Sequence, residues 1–304
     1  MKIILVTNKT YRDQIDSGYW NTLLPLRCLG HDVTLFDTAS RSTTNHLGTM
    51  IDKIKPDLIF CCMTGDNNIT PNEPWECILK ETTSGRTRTF NWFCDDTWRF
   101  DNFSSKVCEY FSVCSTPEPT YIKKFKDIGY DNIILGNWHC NLDLFKKSDF
   151  KKKSIDCSFI GFLTDNRKDF FRIVDKKGVR VDKFHGLSHD EMLLKLAETK
   201  VGINLSTNDN DPKKKTQMKL RMFEVPASKA MLISEFHPGI EQFYDIDKEI
   251  ITFKTIPEFV DKMKFLNNNT SIVEKIALSG HERFIKEHES KTRLKSVLEE
   301  IMRC

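Results

Sequence analysis

The chain has 304 residues, more than one ordinary domain of ~100–200 residues, so two domains are expected. Hydrophobic residues make up 39% and charged residues 29%, enough for packed cores and against wholesale disorder. The net charge of +3 makes no electrostatic case for nucleic-acid binding, no apolar run approaches the ~18–20 residues of a bilayer span, and the opening Met1–Val6 is too short for a signal peptide.

In chain order, short apolar runs alternate with longer amphipathic stretches, the pattern of parallel sheets covered by helices on both faces. The expected strands of the first half are Lys2–Thr7, Asp32–Phe36, Asp57–Cys62, Thr89–Cys94, Tyr110–Ser115 and Asn132–Leu135. Tyr19–Leu29 reads as a helix closed by Gly30, because glycine tolerates the left-handed conformation after a helix end. The charge run Lys146–Lys153 lacks periodicity and reads as a linker. Beyond it come strands Ile155–Ile160, Arg180–Phe184, Lys200–Leu205, Ala230–Ile233 and Glu249–Phe253. Helices are expected over Arg167–Lys177, His189–Glu198, Thr216–Ala227 and Pro257–Leu266, with a charged helical tail from Thr270 to Cys304.

The fold class is therefore α/β with two Rossmann-like doubly wound domains facing across a cleft. Residues 1–145 form an N-terminal domain, 146–285 a second, and 286–304 a C-terminal helix that could cross back to the first. Net charge divides unevenly, −2 over residues 1–140 and +5 over the rest, and a mildly basic second half suits an anionic ligand. The ten cysteines include no C-x-x-C, and most read as small buried hydrophobes of a reducing, cytoplasmic compartment. His139-Cys140 has no second ligand cluster at zinc spacing, so no metal is expected.

The most informative segment is Lys219-Leu220-Arg221-Met222-Phe223-Glu224-Val225-Pro226-Ala227-Ser228. On a helix Arg221 and Glu224 share a face; as an exposed ion pair they would be worth ~0.2–0.5 kcal/mol. The alternative is chemical. A helix N-terminus with Lys219 and Arg221 offers N–H groups and two cations to a diphosphate, and Glu224, one turn in, could accept hydrogen bonds from ribose hydroxyls. In the first half, Asp95 and Asp96 follow an aromatic strand and should stand at its carboxyl end. There one could act as a general base, or merely cap the next helix. Asp16, Gly18 and Tyr19 follow the first strand in a loop without G-x-G-x-x-G, which argues against a nicotinamide-dependent dehydrogenase. His185 ends a strand and could line the donor cleft, and Lys213-Lys214-Lys215 reads as a solvated loop or as a basic loop that closes over a diphosphate.

Several segments resemble, in order, the spore-maturation (CgeB-like) branch of the GT-B glycosyltransferases. These are Phe90–Asp96, Cys114-Ser115-Thr116, Gly129-Tyr130, Asp156–Gly161, Val201–Leu205, Lys219–Ser228 and Gly239–Phe253 with Glu249. One departure is Lys229, where the family usually has glycine. The resemblance implies a metal-independent glycosyltransferase that needs no cofactor beyond its nucleotide-diphosphate sugar. It implies donor binding by Gly161, Lys219, Arg221 and Glu224, with Arg167 in the helix after the glycine loop; position along the chain adds His185 to the donor side, Asp16, Gly18 and Tyr19 to the acceptor side, and Asp95 or Asp96 as the catalytic base. The acceptor would be a glycan, a small molecule or, with less support from charge, modified DNA. A non-catalytic nucleotide-sugar-binding protein and a nucleotide-sugar epimerase remain as alternatives of the same fold.

Overall fold

The computed structural model describes residues 1–11, 14–40, 46–209, 211 and 213–304. The chain divides into two compact units. Met1–Asn137 with Ser290–Cys304 forms the first, and Trp138–Glu289 the second.

In unit 1 the strands are β1 (Lys2–Thr7), β2 (Asp32–Asp37), β3 (Leu58–Cys61), β4 (Arg88–Trp92), β5 (Val113–Thr116) and β6 (Ile133–Leu135). They form one parallel six-stranded sheet in the order β2-β1-β3-β4-β5-β6. Alternation along β1 makes a two-faced sheet: Ile3 and Leu5 enter one core cluster, Ile4 and Val6 the other. The helices are α1 (Leu24–Cys28), α2 (Leu47–Ile54), α3 (Trp75–Ser84), α4 (Asp96–Arg99) and α5 (Ile122–Asp127). The helix expected over Tyr19–Leu29 opens instead as a π-helical turn, Tyr19–Leu23, before α1; Gly30 follows with φ +83°.

Unit 2 repeats the plan with β7 (Ile155–Ile160), β8 (Asp182–Phe184), β9 (Thr199–Asn204), β10 (Met231–Glu235) and β11 (Ile251–Phe253). They too are parallel, in the order β8-β7-β9-β10-β11. Its helices are α6 (Asp165–Lys176), α7 (His189–Glu198), α8 (Arg221–Ala227), α9 (Ile256–Asn267) and α10 (Thr270–Glu287). Both units thus follow a 2-1-3-4-5 order, whose switch point lies where the first strand meets the third, with ligands expected outside the carboxyl ends there.

Three details differ from the sequence reading. The run Lys146–Lys153 is no free linker. Phe150 lies in the unit 2 core, and buried Lys153 donates to the carbonyls of Leu196, Ala197 and Ser228 at 3.3, 2.8 and 3.0 Å. The helix expected from Thr216 begins only at Arg221, because Gln217 N–H bonds back to Ser206 O at 3.0 Å and Thr216 bridges to Thr207. The charged tail is two helices, α10 and α11 (Ser290–Arg303). Leu294, Val297, Leu298 and Ile301 of α11 complete a unit 1 cluster, and Arg88 Nη1 donates to Ile301 O at 2.9 Å.

Candidate functional site

In unit 2 the expected donor residues stand at or just beyond the carboxyl ends of β7, β8 and β9. Arg221 Nη1 lies 2.8 Å from Glu224 Oε2, an ion pair whose angle falls short of a hydrogen bond. The two side chains are 17% and 8% exposed, so this is no surface pair of α8. Arg221 Nη2 meets Met192 Sδ of α7 at 3.4 Å. His189, at the start of α7, also belongs to this cluster: burial lowers its pKa, opposed by the nearby Glu224 and Asp190 carboxylates. Sequence reading missed His189; its signal was the capping box of Ser188 and Glu191, which sets the start of α7.

Lys219 sits before α8 and donates from Nζ to Thr207 O at 3.1 Å. Gly161 N–H bonds to Phe184 O at 3.0 Å; a Cβ at Gly161 would press on the Phe159 ring at 3.1 Å. His185 is exposed at the end of β8 and makes no hydrogen bond or ion pair among the described residues. Lys229 takes φ +57°, the left-handed conformation glycine favours. A lysine thus stands in a conformation that costs a side-chain-bearing residue backbone energy, where the resemblance led us to expect glycine.

Arg167 opens onto a second feature, a cavity of about 260 Å³ lined by Asn166, Arg167, Phe170, Thr207, Asp209 and Glu235, together with Leu205 and Lys214. Burial lowers the Arg167 pKa, opposed by the Asp209 and Glu235 carboxylates. Against the upward push of burial, hydrogen bonds from Asn166 and Thr164 and the Arg167 and Lys214 cations hold Asp209 below the usual carboxylate range. The loop expected to be basic is a turn on Asp211, which accepts from Lys213 N–H at 2.9 Å and Lys215 N–H at 3.3 Å. A larger cavity, about 400 Å³, opens at the amino ends of the same sheet, beside Asp156, Arg180, Asp182 and Lys200. Position decides between them: ligands of open α/β sheets bind at carboxyl ends.

In unit 1, Asp16 accepts from Gly18 N–H at 2.8 Å, and Tyr19 N–H donates to Asp16 O at 3.1 Å. A Cβ on Gly18 would lie 3.3 Å from Thr7 Oγ1, so this loop lies at the carboxyl end of β1; just past β3, burial and then the Asp16 charge raise the Cys62 thiol. The two aspartates after β4 part company. Asp96 is wholly buried, with Ser104 Oγ donating to Oδ1 at 2.6 Å; burial pushes its pKa up to about 7. Asp95 is half-buried at φ +60°, and its side chain makes no capping bond to α4. Capping by its carboxylate, one of the two expectations, does not occur. Among the described residues no three of His, Cys, Asp and Glu converge as a metal site would require.

Residues 158–299 match the family model described as glycosyl transferase-like. No curated protein matches the chain in sequence. Solved structures do. A glycosyltransferase from Rickettsia africae ESF-5 superposes with TM-score 0.64 at 12% identity, covering 99% of this chain and 98% of that one. HepE from Anabaena, in complex with UDP-glucose, gives 0.62 at 12% identity, covering 99% and 100%. Sucrose-phosphate synthase from Thermosynechococcus elongatus gives 0.65 at 9% identity, covering 99% of each. At these identities the likeness establishes the fold, that of the GT-B enzymes with two Rossmann-like domains. The family match over residues 158–299 bears out the expectation of a glycosyltransferase, an enzyme that moves a sugar from a nucleotide-sugar donor to an acceptor.

Proposed function

We propose that the chain transfers a neutral sugar from a uridine diphosphate sugar, held by unit 2, to an acceptor hydroxyl served by unit 1. The observation that carries this is the Arg221–Glu224 pair, buried at the start of α8 and inside the residues matched to the glycosyl transferase-like family. Glu224 accepts hydrogen bonds from the ribose hydroxyls. Arg221 and Lys219 neutralise the diphosphate as it leaves, which needs no metal because fixed cations do that work. Gly161 allows close backbone approach, and Arg167 and His185 stand beside the same strand ends. The UDP-glucose held by HepE supports uridine as the donor base. The order of motifs shared with the CgeB-like branch supports placing the chain there.

In unit 1 the two aspartates take separate roles. Asp95, the more exposed, takes the proton of the attacking hydroxyl, while Asp96 holds the turn from beneath. Asp16, Gly18 and Tyr19 shape the acceptor side, and a glycan or small molecule fits the weak net charge better than DNA does. The test is transfer from UDP-sugars to saccharide acceptors by the native protein and by Glu224→Ala and Arg221→Ala. Both variants should keep the native circular dichroism and lose transfer. Undiminished turnover in either would remove the donor assignment, and conversion of the sugar without acceptor would replace transfer by epimerisation.

A further inference from the structure

We infer that the cavity at the carboxyl ends of β7, β9 and β10 is a subsite for one neutral pyranose, gripped through its hydroxyls by Asn166, Arg167, Asp209 and Glu235. This rests on the sugar-transfer reading and deepens it. The cavity, about 260 Å³, is smaller than the ~300–1,000 Å³ of drug-sized sites, so it suits a single sugar ring better than a whole sugar nucleotide.

Its charges balance. Arg167 and Lys214 supply two cations, Asp209 and Glu235 two carboxylates. A diphosphate would confront both carboxylates, whereas a polyhydroxylated ring both donates and accepts hydrogen bonds and so uses both kinds of group. The walls are fixed in advance. Thr207 donates to Glu235 from its N–H and its hydroxyl, each at 2.7 Å, and Asn166 Nδ2 donates to Asp209 Oδ1 at 2.6 Å. One donor is left over: among the described residues Arg167 Nε is buried without a hydrogen-bond partner, 3.6 Å from Asp209 Oδ2. A buried donor without an acceptor is costly, and a ring or hydroxyl oxygen would satisfy it. Phe170 and Leu205 supply an apolar wall for the C–H face of the ring. Thr207 joins this pocket to the proposed diphosphate grip, because its carbonyl accepts from Lys219.

The pyranose could be the donor's own sugar or a residue of the acceptor, and one set of titrations separates the two. Asn166→Ala and Glu235→Gln alter different walls, so misfolding of one leaves the other as the test. Calorimetry with UDP, UDP-glucose, UDP-galactose and UDP-N-acetylglucosamine should show about tenfold weaker binding of at least one sugar nucleotide, with UDP unchanged. If both nucleotide classes are unchanged but saturation-transfer NMR contact with free glucose, galactose or N-acetylglucosamine is lost, the pocket holds an acceptor sugar. Equal weakening of UDP, or no change with any probe, overturns the subsite. A native protein that binds neither UDP nor sugar nucleotides would defeat the donor reading instead, and the free-pyranose contact alone would then decide the pocket.

Discussion

The two units share one strand order but treat their carboxylates in opposite ways. Glu224 of unit 2 is buried beside a cation 2.8 Å away, and Asp209 is held below its usual pKa by hydrogen bonds and Arg167. Asp96 of unit 1 is buried with the Ser104 and Thr116 hydroxyls and, among the described residues, no paired cation, so burial lifts its pKa to about 7. The lesson is that burial alone does not set a carboxylate's chemistry; its partner does. A carboxylate set beside a cation suits the recognition of hydroxyls. An unpaired one near neutrality either moves protons or governs stability with pH.

The comparison can be broken first at Asp95. Asparagine also tolerates the left-handed backbone, so Asp95→Asn should keep the turn while lowering kcat by ~10²–10⁴-fold. Full activity would take the base away from Asp95. Next in size is Asp96. Its folded pKa is raised, so its contribution to stability is fully present below about pH 4 and is lost as the pH rises through about 7. Asp96→Asn should therefore stabilise the protein at pH 8 by on the order of a few kcal/mol and flatten the stability profile between pH 4 and 7. Denaturant titrations across that range that show no difference from the native protein would contradict the buried, unpaired carboxylate. The smallest effect belongs to Lys229: Lys229→Gly should relieve the left-handed backbone and raise stability by about 1 kcal/mol. A loss of stability there would mean that the lysine side chain carries weight the backbone argument omits.

Much of this was legible in the sequence. Apolar runs placed the strands of both sheets, and the Arg221–Glu224 spacing put the pair on one face, because period and spacing are local properties. The start of α8 was not legible, since Gln217 and Thr216 are drawn into extended pairing with Ser206 and Thr207, contacts a helical pattern does not encode. Nor was the role of Lys153. A lysine in a run of lysines reads as solvated, yet here three carbonyls satisfy its ammonium inside unit 2. The pyranose pocket drew on Asn166, Thr207, Asp209 and Glu235, single polar residues from separate loops, which only the converging strand ends bring together. Asp95 and Asp96, adjacent in sequence, were indistinguishable until the left-handed turn sent one outward and the other into the core.

The most direct measurement is the UDP dissociation constant of the native protein beside those of Arg221→Ala and Glu224→Ala, by calorimetry at one salt concentration. Binding by the native protein and a loss of at least tenfold in each variant is the predicted result. Equal affinity in all three proteins would contradict the donor site at α8.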